Sequence, residues 1–359
     1  MKVLFITGSL NQGGAEFQIL QLAKLFQDKG NEVEVFAITN YSFYKYFVVR
    51  NNLTYSHLEN NQNKIKRVFL TSKKIKQFQP NLIISYLKIV SKVTIIAKIL
   101  SNAKVPVIVG ERTSNIQPWH DKLHFNLMRF ADAVTVNSIS KLDYLKANFN
   151  GISDKTYFFP NILDVTEIIY LDKNYDQDKL HLGFIGRISP EKNILEMIRA
   201  VGCLKKKGHE IQFSIYGDGR NAGYLEEVNN LILSEGLTKD VQLMGETKEV
   251  FEVHKTIDLL ILISDFEGFS NVISEAIASG LPIITSNVPE NKYLVKDGEN
   301  GFVVNHKDSK SIAEGIEKYM QLPAAVKRKI SANNREKAEG IFDKDTLYIG
   351  YIKLISRFK

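Results

Sequence analysis

Residues 257–285 read IDLLILISDFEGFSNVISEAIASGLPIIT. The apolar run Ile257–Ile263 has the length of a buried strand, 271–279 shows helical spacing, and Pro282–Thr285 is a second β-rich run. Strand, helix and strand in about thirty residues form the repeating unit of a parallel sheet, whose neighbours need a crossover. The turn between the first two elements holds Glu267, Gly268, an exposed-looking Phe269, Ser270, Asn271 and Val272, and Glu275 follows eight positions after Glu267. Ser270 or Asn271 is the expected N-cap, so Glu275 falls about one turn into the helix and leans back toward its start. One such carboxylate is an ordinary helix-start charge; two ask for a ligand with hydroxyls to read.

The same alternation runs both ways along the chain. Strands are expected at Val3–Thr7, Glu32–Ala37, Leu82–Ser85, Val107–Val109 and Ala133–Asn137, more weakly at Tyr157–Phe159, with helical patterns such as Ala15–Lys29 and Lys122–Phe130 between them. After the polar stretch 171–180 the pattern restarts, with strands Leu180–Ile185, Gln212–Tyr216 and Val241–Leu243 and helices near 190–207, 221–235 and 248–255. The fold class is therefore α/β, with two doubly wound, Rossmann-like parallel-sheet domains whose strand carboxyl ends face a cleft, where ligands of such folds bind. A chain of 359 residues suits two domains.

A single cysteine, Cys203, excludes an intrachain disulfide framework and fits a reducing, cytoplasmic setting. No stretch approaches ~18 uninterrupted apolar residues, the length of a membrane-spanning helix. The net charge of +7 is uneven: residues 1–165 hold 21 Lys+Arg against 11 Asp+Glu, and the remainder is slightly acidic. The N-terminal half is thus expected to meet something anionic. Within it, KIKRVFLTSKKIKQF (64–78) places Ile65, Val68, Phe69, Ile75 and Phe78 among lysines that include Lys73, Lys74 and Lys76. Two readings stand: a helix lying on an anionic membrane surface, or an amphipathic helix packed on a sheet with solvated lysines.

Chemistry is expected in the strand-to-helix turns. GSLNQGGAE (8–16) offers Gly13 and Gly14 for close backbone approach and a helix N-terminus for an anion, but it is not G-x-G-x-x-G and no ribose-binding acid closes the second strand. That weighs against a nicotinamide-dependent oxidoreductase. GFIGRISPEKN (183–193) sets Gly186, Arg187 and Lys192 around a Ser189-Pro190 helix start. Two cations beside the positive end of a helix dipole make sense if a diphosphate sits there, or if Arg187 pairs with a carboxylate and Lys192 is solvated. IYGDGR (215–220) brings Gly217 and Asp218 to a strand end, and LMGETKEV (243–250) brings Gly245, whose backbone can hold a planar base.

Taken together, GRISPEKN, YGDG, EGFSNVISEAIASGLPII and DGENGFVV, with GGAE and FPNILD earlier, resemble the successive motifs of the retaining family 4 glycosyltransferases (glycosyl transferases group 1) of the GT-B fold, of the bacterial surface-polysaccharide type. The resemblance implies an acceptor-side domain 1–168, onto which a C-terminal helix 344–359 crosses back, and a nucleotide-sugar domain 169–343. It implies that Arg187 and Lys192 bind the diphosphate, Glu267 the donor-sugar hydroxyls and Glu275 the ribose. Gly268 to Val272 would supply backbone contacts, and Gly13 and Gly14 would lie near the phosphates. The expected reaction moves a sugar from a UDP-sugar, in preference to a GDP-sugar, to a hydroxyl of a saccharide acceptor, lipid-linked and at the inner membrane face. It proceeds by same-face attack. A sugar-nucleotide epimerase or a catalytically silent partner subunit are the alternatives.

Where many members carry His or Asp after the Val107–Val109 strand, this chain has Glu111 and Arg112. Arg112 is a candidate for supporting the sugar or diphosphate, and Glu111 for facing the acceptor. His120 is assigned to the next element, and Trp119 either stacks on a sugar, enters a membrane surface or simply packs. The Asp-x-Asp matches, Asp176/Asp178 and Asp343/Asp345, lie in polar segments, so no metal or other cofactor is expected. Nucleic acid is not among the expected partners.

Overall fold

The chain is described by a computed structural model covering all residues except 61, 113–117, 177–178, 220, 248 and 359, with the side chains of 118–121 and 123 also left aside. It divides into two units, Met1–Ile162 with Phe342–Lys359, and Leu163–Ile341.

The first unit begins with β1 (Lys2–Thr7), α1 (Gly14–Asp28), β2 (Glu32–Ala37), α2 (Lys45–Arg50), β3 (Thr54–His57), α3 (Lys64–Phe78), β4 (Leu82–Tyr86) and α4 (Lys88–Ser101). It continues through β5 (Val107–Glu111), α5 (Pro118–Met128), β6 (Ala133–Val136), α6 (Ile139–Asn148), α7 (Asn150–Ser153) and β7 (Thr156–Phe158). All pairings are parallel, in the order β3-β2-β1-β4-β5-β6-β7. Strands buried on both faces read as continuous apolar runs, and VLFI, LII and VIV do so. One face is covered by α1, and the other carries Val90, Val93 and Ile95 from α4, Phe125 and Met128 from α5, and Leu145 from α6.

The second unit runs β8 (Leu180–Ile185), α8 (Ile194–Lys206), β9 (Ile211–Tyr216), α9 (Ala222–Ser234), β10 (Val241–Gly245), α10 (Val250–Thr256) and β11 (Leu259–Leu262). It ends with α11 (Asn271–Ala278), β12 (Ile283–Ser286), α12 (Pro289–Leu294), β13 (Phe302–Val304), α13 (Ser309–Met320) and α14 (Ala324–Ile341). Its six strands pair in parallel in the order β10-β9-β8-β11-β12-β13. The last helix, α15 (Lys344–Ile355), belongs to the first unit. There Tyr351 stacks on Phe159 at 4.2 Å between ring centroids, meets Phe26 edge-on at 5.9 Å, and its hydroxyl lies 3.2 Å from that of Tyr86.

Several elements go beyond the sequence reading. The strands β3 and β13 are short, and β3, THR-TYR-SER-HIS in composition, shows no apolar alternation for its edge position. The apolar run Ile257–Ile263 is buried throughout its hydrophobic positions, but only Leu259–Leu262 pairs as strand. Phe269, expected outside, is buried, whereas Phe266 three residues earlier is exposed.

Where β8 and β9 end, their backbones nearly touch. Gly186 N–H donates to the Tyr216 carbonyl at 2.9 Å, Ile188 N–H to Asp218 O at 3.0 Å, and Gly217 N–H to Gly245 O at 2.8 Å. A Cβ on Gly217 would lie 1.8 Å from the Gly186 carbonyl oxygen, so only glycine fits. Gly217→Ala is expected to destabilise the fold by about 2–4 kcal/mol, read as a lowered urea midpoint at unchanged slope. An unchanged midpoint would show that this backbone approach is not required.

Candidate functional site

In an open parallel sheet the crevice lies where strand order reverses. In the second unit that point falls between β8 and β11, so two turns emerge side by side: Gly186–Asn193 after β8 and Ile263–Ser270 after β11. They are joined directly. Asp265 N–H donates to the Glu191 carbonyl at 2.9 Å, and Asn193 Nδ2 donates to Asp265 Oδ1 at 2.7 Å. Lys307 Nζ reaches Asp265 Oδ2 at 2.8 Å. Burial alone would raise the Asp265 carboxyl, but the hydrogen bonds from Lys307 and Asn193 outweigh it and hold the group below the usual carboxylate range.

The central contact is Lys192 Nζ to Glu267 Oε1, 2.5 Å, with both side chains mostly buried. Ser264 Oγ donates to the same oxygen at 2.7 Å. Lys192 is therefore not solvated. The charge that looked out of place at a helix start has its counter-charge in the neighbouring turn. An ammonium carries three donors, so Lys192 can hold Glu267 and still address an anion. Arg187 differs: its side chain is largely exposed and sits 3.8 Å from Glu191, a pairing weak enough in water to yield to a better anion. The helical turn Pro190–Lys192 and the left-handed Asn193 (φ 47°) precede α8.

Ser270 is the N-cap of α11, its Oγ accepting from Ile273 N–H at 3.3 Å, with Asn271 and Val272 opening the helix. Glu275 lies one turn in. The residue keeps some accessible surface while its carboxyl is packed round by protein, and burial pushes that carboxyl up to about 7. Gly268 and the buried Phe269 complete the turn, with Phe269 edge-on to Tyr293 at 6.1 Å. Gly186, Gly217, Asp218 and Gly245 form the hydrogen-bonded backbone at the ends of β8, β9 and β10. The second unit thus gathers Arg187, Lys192, Glu267 and Glu275 at one switch point, with cations and carboxylates in adjacent turns.

The first unit has its own switch point, between β1 and β4. Gly13 is the N-cap of α1 and Gly14 its first residue. A Cβ on Gly13 would lie 2.2 Å from Glu16 Oε2. The helix start that the sequence offers to an anion already carries a carboxylate of the chain itself. Burial raises the Glu16 carboxyl, and its hydrogen bond to its own backbone partly offsets this. Arg112 lies over the Tyr86 ring, 3.8 Å from its centroid, and its NH1 donates to the Phe159 carbonyl at 3.4 Å. Glu111 is buried and pairs with His124 Nε2 at 2.7 Å. The sequence reading stopped at His120 and passed over His124, whose only signal was its place on a core-facing helix. His120 and Trp119 have side chains outside the described residues.

Helix α3 divides its residues differently from the simple packed reading. Lys74 is not a surface lysine: it turns inward to an ion pair with Glu34, which also accepts from Ser56 Oγ at 2.6 Å. Ile65 and Phe69, which only the packed reading would bury, are 82% and 60% exposed, on the same stripe as the exposed Lys73 and Lys76. The packed face uses Val68, Thr71, Ser72, Ile75 and Phe78 instead. The neighbouring α4 presents Ile89, Ile96, Ile99 and Leu100 outward, with Lys92 between them. Among the described residues no helix is long and apolar enough to cross a membrane. Asp343 caps α15 through Thr346 N–H at 2.8 Å and Asp345 pairs with Lys29, while Asp178 lies outside the described residues.

Residues 12–167 match the profile described as Glycosyltransferase Family 4, and residues 169–337 that of Glycosyl transferases group 1. A Campylobacter jejuni protein named GalNAc-alpha-(1->4)-GalNAc-alpha-(1->3)-diNAcBac-PP-undecaprenol alpha-1,4-N-acetyl-D-galactosaminyltransferase is 27% identical over 100% of this chain and 99% of its own length. The capsular polysaccharide biosynthesis glycosyltransferase CapM of Staphylococcus aureus is 28% identical over 51% of this chain, a match spanning about half (49%) of that relative. Among solved structures, Anabaena HepE in complex with UDP superposes with a TM-score of 0.86 at 21% identity, covering 99% of this chain and 100% of HepE. TarM superposes with a TM-score of 0.81 at 12% identity over 99% of each chain. Two abutting profiles, a full-length relative and full-length structural neighbours agree with the reversal of strand order in each sheet: this chain belongs to the family 4, group 1 glycosyltransferases and has their GT-B fold.

Proposed function

We propose that this chain transfers a sugar, with retention of configuration, from a UDP-sugar to a hydroxyl of a lipid-linked saccharide during assembly of a bacterial surface polysaccharide. The observation that carries the reading is the cluster at the β8/β11 switch point, where the cations Lys192 and Arg187 suit a diphosphate and the carboxylates Glu267 and Glu275 suit hydroxyls. The complexes of Anabaena HepE with UDP and with UDP-glucose support the donor class. The Campylobacter relative's name places its saccharide on PP-undecaprenol, which supports the acceptor class.

In this mechanism the sugar C1–O bond to the β-phosphate breaks as the acceptor oxygen forms its bond to C1 on the same face, and the acceptor proton passes to the departing phosphate. The demand on the protein is to neutralise charge on the leaving diphosphate, which Lys192 and Arg187 supply without a metal. Of the two Asp-x-Asp matches, the described one, Asp343/Asp345, is engaged as a cap and an ion pair. Glu267 holds donor-sugar hydroxyls and keeps Lys192 in place.

Lys192→Ala and Glu267→Ala are each expected to lower sugar transfer and UDP-sugar hydrolysis by at least about a hundredfold, as loss of one charge-stabilising group does. Each leaves its former partner short of a charge, at about 1–3 kcal/mol of stability, so turnover is compared where circular dichroism shows both variants folded. Near-wild-type hydrolysis in either would refute the assignment.

Glu275 gives a pH signature. Its carboxyl is raised from 4.5 to about 7, so the ligand-free fold favours the protonated form and loses stability as pH climbs from 4.5 through about 7. Ribose hydroxyls donate to the ionised form, so nucleotide binding releases a proton. UDP affinity should therefore rise about tenfold between about pH 6 and pH 8 beyond the share due to UDP's own titration, and Glu275→Gln should abolish that excess. Calorimetry in two buffers reads both affinity and proton release; identical pH profiles for the two proteins would remove Glu275 from the nucleotide site.

The outward stripes of α3 and α4 combine apolar side chains with lysines, as a helix pair resting on an anionic bilayer does. Peripheral attachment there would bring the protein to a lipid-linked acceptor. Flotation with phosphatidylglycerol liposomes should be strong at low salt and lost in Lys73→Glu/Lys76→Glu and in Ile96→Ser/Ile99→Ser. Undiminished flotation of both variants would rule this face out.

A further inference from the structure

The donor reading leaves one acidic group unexplained. Asp265 stands two positions before Glu267 in the turn after β11, against the turn that carries Lys192. A carboxylate there is unfavourable for an anion, since like charges close together repel. The chain nevertheless surrounds it with partners. Lys307 Nζ lies 2.8 Å from Oδ2 and the His306 ring 3.7 Å from Oδ1, both from the loop between β13 and α13. Asn193 Nδ2 donates to Oδ1 at 2.7 Å, and the Asp265 N–H donates to the Glu191 carbonyl at 2.9 Å. One acid thus ties together the loops that follow β8, β11 and β13.

What the tie holds is Asn193. This residue is the joint between the helical turn Pro190–Lys192 and α8, with φ 47° and ψ 38°. That left-handed region disfavours side chains with a Cβ; Asn enters it more readily than most residues, and glycine freely. The joint is held on both sides. Its carbonyl accepts from the Glu196 and Met197 N–H groups of α8 at 3.1 and 3.2 Å, and its own N–H donates to the Pro190 carbonyl at 3.0 Å. The dihedrals of residue 193 therefore set how the turn enters α8, and with it the direction of Lys192, whose Nζ meets Glu267 Oε1 at 2.5 Å. A right-handed residue 193 would run the turn on into α8 and re-aim that ammonium. We infer that Asp265 is a positioning residue for Lys192: bonded to Asn193 Nδ2 and braced by Lys307, its carboxylate keeps residue 193 left-handed and so holds the ammonium on Glu267. The positioning stands on geometry alone; its effect on nucleotide binding rests on the donor reading above.

The test takes two readouts on the full chain: the rate of reductive methylation of Lys192 by formaldehyde, read by mass spectrometry, and calorimetry with UDP. In the wild-type chain the paired, mostly buried ammonium should react slowly. Asp265→Ala should raise that rate severalfold and weaken UDP binding about tenfold, in line with loss of one well-aimed charged contact. The sign is decisive, because removing a negative charge beside an anion site would by electrostatics alone tighten binding. Adding Asn193→Gly to Asp265→Ala should restore most of both readouts, since glycine takes the left-handed backbone without a tie. A merely structural role for Asp265 gives no such rescue. Each variant is compared where its unfolding transition shows it folded. Should Asp265→Ala not fold, Asp265→Ser, which cannot hold Asn193 and Lys307 at once, decides by the same readouts. Equal methylation of Lys192 in wild type and variant, UDP binding as tight or tighter in the variant, or no recovery with Asn193→Gly overturns the inference. Faster methylation of Lys192 in the variant, with no UDP binding by the wild-type chain, leaves the positioning standing and removes the donor reading instead.

Discussion

A parallel strand cannot return to its neighbour without crossing over the sheet, and this constraint organises the whole chain. Every β-to-α turn is forced to the same edge of its sheet, the carboxyl edge. Reversal of strand order then opens a crevice between β1 and β4 in one unit and between β8 and β11 in the other. The chemistry-bearing residues were never free to be elsewhere: Lys192 and Glu267 are 75 positions apart in sequence, yet the β8–β11 pairing sets their turns side by side. The ion pair between them is a local result of a global topological rule.

That pair also changes how the site's charges are understood. Separately, a lysine at a helix start and a glutamate in a loop look like two independent ligand contacts. Joined at 2.5 Å, they form one unit whose lysine is already oriented and partly desolvated before any anion arrives. Arg187, largely exposed, is free to move onto a ligand. Under the proposed function, one cation is preorganised and the other adaptable, a division that would limit the ordering cost of diphosphate binding to a single side chain.

Much of this was legible in the sequence, and for a physical reason. Strands buried on both faces favour continuous apolar runs, so β1, β4, β5 and β11 announce themselves, and the turns after them follow. What failed was whatever depends on which way a side chain points. Lys73, Lys74 and Lys76 are alike as letters, but a buried acid, Glu34, draws only Lys74 inward. Phe266 and Phe269 are alike, but only the second turns into the core. His124 was invisible because an inward-facing histidine on a helix has the same spacing as any core residue, and only the position of Glu111 on the adjacent strand gives it meaning. The short edge strand β3 escaped because it is polar, and an edge needs no apolar alternation to be paired on one side.

The return of α15 to the first unit has a temporal consequence. Tyr351, which stacks on Phe159 and touches Phe26 and Tyr86, fills the heart of a unit whose other 162 residues are made first. On a ribosome the second unit, Leu163–Ile341, is whole before the first receives its last 18 residues. Until then the surface of α1 and β4 that awaits Tyr351 and Leu354 stands uncovered. The first unit is thus completed only after the second has been made, and its apolar surface lacks this cover in the interval.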